Sequence, residues 1–484
     1  VNYSTKAKSI QQHPFFNAAH RHATNLALHS GNTSLTYFEL YSQSKQLARG
    51  LSHRGVKPGN IITLGDQPPI EMIISIWACT LGGYVAFPLN TRFPKTSIAK
   101  IITDVNPTLT IADAAIPGHT TVTSSELNAE ASQVSEENLP PFEEFDAASL
   151  LMTSGSSGDV KFVQHSHHNH IASAKGSNQN IHLSPSDSWL LSLPLYHVGG
   201  LSILFRTALT GAAVIVPDEK DSLPIKIEQS RVTHISLVAT QLQRILNDQS
   251  GLEILQGMHA ILLGGSAIPQ PLIQESLNLG LPLHTSYGST EMASQITTTT
   301  KNNRQATLSS SGIVLPGRDL IISHEGEILV RGETLAQGYL CNSTLTDLRD
   351  NEGWFHTGDV GYINVQGELT VTGRMDNQFI SGGENIQPEH IERILCKIPG
   401  IINAIVIPKE DVEFGARPVA FLETESSSPD EGKISHHLRN QLPGYMIPVA
   451  YFELPRELKD DKLKISRSRL AHYLNAGNKH LHAL

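Results

Sequence analysis

At 484 residues the chain exceeds the size at which one hydrophobic core stops growing, so two or more domains are expected. Its 39% hydrophobic and 17% charged residues are an ordinary globular composition and argue against disorder as the default. A formal net charge of −10 argues against a general nucleic-acid binder and against a protein held on anionic membranes.

The first segment, VNYSTKAKSIQQHPFF, lacks the apolar core of a signal peptide. The apolar stretch IEMIISIWACTLGGYVAFPL (70–89) is broken by Glu71 and two glycines, so it is expected to be a buried helix followed by a strand and not a membrane span. Cys79, Cys341 and Cys396 form neither a CxxC pair nor a Cys/His metal spacing, which fits a reduced cytoplasm. Short apolar runs at LLMTSG (150–155), AAVIVP (212–217), THISLV (233–238) and HAILLGG (259–265) have the signature of buried strands. The helical pattern IPQPLIQESLNLG follows the last of them, and such alternation predicts parallel α/β layers. His165, His167, His168 and His170 match no metal-ligand spacing and are assigned to a loop or helix start.

Near GEILVRG and GELTVTGR the pattern changes to short alternating strands with glycine turns, as in β-hairpins. A domain junction is placed near Asp376, dividing the chain into 1–375 and 376–484. The second part should be a small α+β unit, with a helix opening after Pro388 and strands at INAIVIPK and PVAFLETE. ESSSPDEGK (425–433) is expected to be a polar loop and HHLRNQL (436–442) a helix.

One stretch within the first part suggests phosphate chemistry. Thr153, Ser154, Gly155, Ser156, Ser157, Gly158 and Lys161 combine hydroxyls, flexible backbone and one mobile cation, a set that can wrap phosphate oxygens. It is not the pattern G-x-x-x-x-G-K-[ST], and alone it could equally be a polar turn. Six further motifs follow in order: SLPLYHVGG (192–200), LLGGSAIP (262–269), SYGSTEMAS (286–294), GWFHTGDVG (353–361), GRMDNQFISGGENIQPEHIE (373–392) and KLKISR (462–467).

Together these motifs resemble the adenylate-forming superfamily of acyl- and aryl-CoA synthetases, peptide-synthetase adenylation domains and luciferases, over nearly the whole chain. The resemblance implies an α/β fold: a large N-terminal domain of layered sheets and helices with a β-rich subdomain, and a small mobile α+β C-terminal domain. It also implies two half-reactions. ATP and a carboxylate form an acyl-adenylate and pyrophosphate, and a thiol, usually that of coenzyme A, then displaces AMP.

The resemblance assigns roles residue by residue. The 153–161 loop would hold the β- and γ-phosphates. Tyr287 would offer a flat face to adenine, Thr290 a hydroxyl to the α-phosphate, and Glu291 a hard oxygen to Mg²⁺. Asp359 would accept the ribose hydroxyls and Arg374 would donate to the same sugar. Gly264, Gly265 and Ser266 would let backbone approach adenine and the acyl group, and Gly288 borders the same space. Lys464 would bridge the acid and the α-phosphate, Asp376 would be the hinge, and Ser381, Gly382, Gly383 and Glu384 would line the pantetheine tunnel. On their own terms these residues have plainer readings: Tyr287 as a core aromatic, Glu291 and Lys464 as solvated charges, Asp359 in a turn, Arg374 in a surface ion pair. The sequence also departs from the family pattern, with Ser157, Val160 and Phe162 in the phosphate loop and Leu463 before the lysine.

Within the superfamily the stretches DSWLLSLPLYHVGGL, SLVATQLQRIL, FGARPVAF and KLKISRSRL resemble the o-succinylbenzoate–CoA ligases of menaquinone biosynthesis. Their substrate is an aromatic keto diacid, of which one carboxylate reacts and the other needs a partner. The segment from His197 would line the acid pocket close to the reacting centre, with Thr240 and Gln241 as further candidates. Arg206 would supply the counter-charge through paired donors; its plainer reading is an outer helix face. His197 and Arg206 are nine positions apart, about two and a half helical turns, so Gly199 and Gly200 are expected to delay the helix start. The alternatives are another aryl- or acyl-CoA synthetase, a carrier-loading adenylation protein, and a non-catalytic adenylate binder. The expected partners are therefore a small acid, ATP with Mg²⁺, and coenzyme A, with no nucleic acid and no membrane insertion; a homo-oligomer is left open.

Overall fold

The computed structural model describes residues 13–116, 118–133, 140–154, 160–217, 232–266, 268–300, 309–424, 431–455 and 467–475. Among them the chain is a layered α/β protein with two large sheets of nine and eight strands and three smaller ones.

The nine-stranded sheet is parallel at its centre. Leu26–Ser30, Ala213–Ile215, Ser188–Leu190, His234–Leu237, Ala260–Leu263 and Leu283–Ser289 run the same way, and only its edges turn antiparallel. Strands buried on both faces need continuous apolar runs, which is why the short runs seen in the sequence fall here. In the eight-stranded sheet Ala147–Ser154 lies parallel to Val85–Pro88. LLMTSG departs from the expected strand–helix alternation, because Ala147–Ser154 turns straight back into Val160–Ser166 as an antiparallel hairpin.

Local signals set the helices between the layers. Thr36 with Glu39, Thr123 with Glu126 and Ser166 with Asn169 form capping boxes. The helix Pro69–Gly82 stops where Gly83 takes the left-handed conformation, and Val85–Pro88 follows as expected. Its Trp77 stacks on Phe15 at 4.4 Å in the main core. Among the described residues no helix is long and apolar enough to cross a membrane. Of the histidine cluster, His167, His168 and His170 open the helix His167–Asn180 as expected, but His165 lies inside the strand Val160–Ser166 and not in a loop or helix start.

A four-stranded antiparallel sheet holds both glycine-turn segments. Arg318–Ile322 pairs with Glu327–Gly332, and Phe355–Ile363 pairs with Leu369–Arg374. Beyond Arg374 a short 3₁₀ turn, Met375–Asn377, leads into residues with their own core, built from Ile386, Ile391, Leu395, Val406, Leu422 and Leu438. The helix Pro388–Leu395 and the strands Ile401–Asp411 and Gly415–Thr424 lie where expected. The next helix does not. It spans Glu431–Arg439, so it takes in three residues assigned to the polar loop and ends before Asn440. Leu442 is nevertheless buried in that core, so its apolar character served packing and not helix length.

Candidate active site

Of the described sequence-selected residues, Gly264, Gly265, Gln241 and Thr290 follow the carboxyl ends of parallel strands, while Asp359 and Arg374 lie in an antiparallel hairpin. In open α/β sheets the carboxyl ends of the strands are where ligands bind. The two ends of the phosphate-loop stretch lie on the paired strands Ala147–Ser154 and Val160–Ser166, with Thr153 opposite Lys161 across the ladder. Gly155, Ser156, Ser157 and Gly158 lie outside the described residues, as does Lys464, and of Ser154 only the backbone is described.

Lys161 is exposed, and its Nζ lies 4.8 Å from the centre of the Tyr339 ring. The Tyr339 hydroxyl donates to Glu291 Oε1 at 2.8 Å. Burial and the Glu291 carboxylate push the Tyr339 hydroxyl well above its ordinary range, so it stays a donor. Among the described residues nothing forms an ion pair with Glu291, which leaves its second oxygen for another partner. This fits a hard cation, because the donor is a carboxylate oxygen with no ion-pair partner among the described residues. Next to it the Thr290 carbonyl accepts from His165 Nε2 at 2.7 Å. Burial brings His165 down to about 4, so the ring is neutral and donates through this nitrogen.

Among the residues selected for the nucleotide, the Tyr287 hydroxyl donates to Asp359 Oδ2 and Arg374 Nη1 donates to Oδ1 at 2.9 Å. Asp359 and Arg374 are direct register partners, which fixes this ion pair in the sheet. Arg374 also reaches Asp376 at 3.2 Å. Gly264 and Gly265 follow the strand Ala260–Leu263, and Ser266 is exposed beside them. At Gly288 a Cβ would stand 2.0 Å from the Ser294 carbonyl oxygen, so no larger residue fits.

Arg206, the residue selected from the sequence to face the acid, is 1% exposed. Its guanidinium lies 5.1 Å from the centre of the Trp189 ring, and its Nη2 donates to Ser294 Oγ at 3.2 Å. Its Nε has no hydrogen-bond partner, and no carboxylate among the described residues pairs with it. Burial, with Arg318 nearby, brings its pKa down to about 9. The outer-face reading of Arg206 is therefore wrong.

So is the delayed helix. It spans Val198–Thr210, with His197 as its N-cap. At Gly200 a Cβ would lie 2.2 Å from the Pro194 carbonyl oxygen, so that glycine permits close packing on the preceding loop and does not postpone the helix. His197 is exposed while Arg206 is buried, as nine residues of continuous helix require. Thr240 is exposed at the start of the helix Ala239–Leu246. Gln241 accepts from Val238 N and donates to the Ser192 carbonyl at 3.3 Å, so its amide ties two strand ends together.

Ser381 to Glu384 form the turn between Phe379–Ser381 and Glu384–Ile386; Ser381 is buried and the other three are exposed. Arg467, three residues after Lys464, donates to both oxygens of Glu392 at 2.6 and 2.8 Å. Sequence reasoning missed Tyr339, Ser294, Trp189 and His165. Only the positive φ of Ser294 (106°) and of Ala293 (50°) marks the Ser294 turn as special, and that is invisible in the sequence.

The family model described as AMP-binding enzyme matches residues 15–340. The 2-succinylbenzoate–CoA ligase of Escherichia coli K12 is 33% identical over 449 residues, 93% of this chain and 95% of that protein. The o-succinylbenzoate CoA synthetase of Bacillus subtilis, solved with the acyl-adenylate intermediate OSB-AMP, superposes with a TM-score of 0.84 at 29% identity, covering 95% of this chain and 97% of that one. The same enzyme in complex with ATP and a magnesium ion gives 0.84 at 30% identity, covering 95% and 99%.

Proposed function

The chain belongs to the AMP-binding enzyme family, and we infer that it is an AMP-forming acid–CoA ligase whose acid is 2-succinylbenzoate. The observation that carries the choice of acid is the buried Arg206 with no carboxylate partner among the described residues. A buried guanidinium left unpaired is costly, and a diacid whose second carboxylate enters the pocket would relieve that cost. Trp189 and Ser294 support this reading, since they orient the guanidinium without neutralising it.

In the first half-reaction a carboxylate oxygen of the acid attacks the α-phosphorus of ATP. The bond to the bridging oxygen breaks, and pyrophosphate leaves with that electron pair. In the second, the thiol of coenzyme A loses its proton to solvent as its sulfur attacks the acyl carbon of the mixed anhydride; the acyl–oxygen bond breaks, AMP leaves with that electron pair, and the thioester remains. The Thr153–Lys161 stretch would hold the departing phosphates and Thr290 would donate to the α-phosphate, where negative charge gathers. Asp359 and Arg374 would hold the ribose, with Tyr287 beside the base. Mg²⁺, the ion held with ATP by the Bacillus relative, would be held through Glu291 and would offset phosphate charge. Lys464 would neutralise charge between the two reacting anions.

Coenzyme A as acceptor rests on the relatives' names, with residues 381–384 as its channel and rotation about Asp376 exposing it. The separate core beyond Arg374 supports a division of the chain near that residue. A place in menaquinone biosynthesis and in the cytoplasm goes with this reading. The test is a panel of acids assayed for pyrophosphate release, with thioester detected by mass. 2-Succinylbenzoate should be preferred over benzoates and fatty acids. A preference for a monocarboxylic acid would reduce the assignment to an acyl- or aryl-CoA synthetase of another acid.

A further inference from the structure

We propose that Tyr339 is a positioning residue that joins the cation ligand to the phosphate loop, its hydroxyl holding Glu291 and its ring seating Lys161. The proposal rests on the reading above in which Glu291 takes Mg²⁺ and Lys161 takes phosphate.

The geometry comes from strand register. Tyr339 lies in Gly338–Cys341 and faces Val163 across an antiparallel ladder. Side chains two residues apart on a strand share a face, and diagonal neighbours of this kind are within reach of long side chains. Lys161 is two residues before Val163, so it meets the ring from the same side, at 4.8 Å. The ring's negative face attracts the ammonium group and holds it against this strand pair.

Glu291 is clamped twice by the same segment. Its side chain accepts from Tyr339, and its backbone carbonyl accepts from Ala336 N at 2.8 Å, three residues earlier. One carboxylate oxygen is thereby fixed, while Glu291 forms no ion pair among the described residues. The adjacent Thr290 is tied by His165 to the strand that also carries Lys161. Thr290, Glu291 and Lys161 are thus referred to two neighbouring strands, and Tyr339 is the side chain that touches both charged members. A carboxylate that must bind a cation gains from being oriented beforehand, because less rotamer freedom is lost on binding.

The test uses Tyr339→Phe, Tyr339→Leu and Glu291→Gln in the full chain, with two readouts: ATP binding by calorimetry as Mg²⁺ is titrated, and the Mg²⁺ dependence of pyrophosphate release. Tyr339→Phe keeps the ring and removes the donor. Its half-saturating Mg²⁺ should rise about tenfold, the scale of a lost hydrogen bond to a charged group, and by more than kcat falls. Tyr339→Leu removes the ring as well, so ATP binding at saturating Mg²⁺ should weaken further, by about threefold. A role in packing alone would lower the melting temperature of Tyr339→Phe without moving its Mg²⁺ dependence, and that result overturns the proposal. If Glu291→Gln itself leaves the Mg²⁺ dependence unchanged, the underlying cation assignment is the part that fails.

Discussion

The Tyr287 hydroxyl and the Asp359 carboxylate are joined by a 2.6 Å hydrogen bond, and Arg374 holds the other carboxylate oxygen. Asp359 is therefore oriented before any nucleotide arrives, by a residue from one sheet and a residue from another. If Asp359 accepts the ribose hydroxyls, the loss of its charge should cost more than the loss of the tyrosine hydroxyl. Asp359→Asn is expected to raise KM for ATP about 10- to 100-fold, the range for hydrogen bonds to a charged group. Tyr287→Phe should raise it only a few-fold. Steady-state kinetics with ATP and 2′-deoxy-ATP check this, because the deoxy analogue should narrow the gap between wild type and Asp359→Asn. An equal gap with both nucleotides would place Asp359 away from that hydroxyl.

Arg206 offers a test that separates binding from stability. Arg206→Ala should raise KM for 2-succinylbenzoate by the equivalent of roughly 2–4 kcal/mol, the scale for breaking a desolvated charge pair. ATP and coenzyme A should bind almost normally, and an analogue with its second carboxylate esterified should lose little. Arg206→Met, close in length and without charge, should melt no lower than wild type in the absence of substrate, since the native guanidinium is buried with no carboxylate partner among the described residues and its Nε unbonded. A large fall in its melting temperature would show instead that Arg206 is a structural residue.

The two half-reactions should part company in two variants. Lys464→Ala is expected to slow adenylate formation about 10²–10³-fold, the cost of one preorganised charge donor, while sparing thioesterification of supplied acyl-adenylate. Asp376→Pro should show the converse, because proline restricts the torsion about which the C-terminal part would rotate. Quenched-flow measurement of pyrophosphate and thioester distinguishes them. Normal pyrophosphate release by Lys464→Ala would remove that lysine from the first step.

Acid stability should follow the buried histidines. Burial holds His167 down to about 3 and His165 to about 4, and His13 and His170 share their surroundings. A histidine whose folded pKa lies below the unfolded value of about 6.5 contributes stability that is present above that pH. The contribution is lost as pH falls toward the folded value. Each such group costs at most about 1.4 kcal/mol per pH unit in that window. His167→Phe removes one of them, so its melting temperature should fall less than that of wild type between pH 6.5 and 5. Parallel pH profiles for the two proteins would refute this.

Much of the protein follows from local pattern alone. The apolar runs, the capping pairs and the helix-stopping glycine depend on residues a few positions apart, so the parallel sheets and their helices could be predicted from them. The ordered motifs likewise carried the family, because their hydroxyls, carboxylates and glycines recur at recognisable spacings. What could not be read from the sequence depends on distant partners. The Glu291–Tyr339 bond spans 48 residues and the Arg206–Ser294 bond spans 88, and no periodicity encodes such pairs. Gly200 shows the same limit within a single helix. Its composition argued for a late start, but the approach of the Pro194 carbonyl decided that the helix begins at Val198. Arg206 is buried for a related reason: a continuous helix from Val198 turns it inward against Trp189, and only the packed tertiary structure leaves its guanidinium without an acid among the described residues.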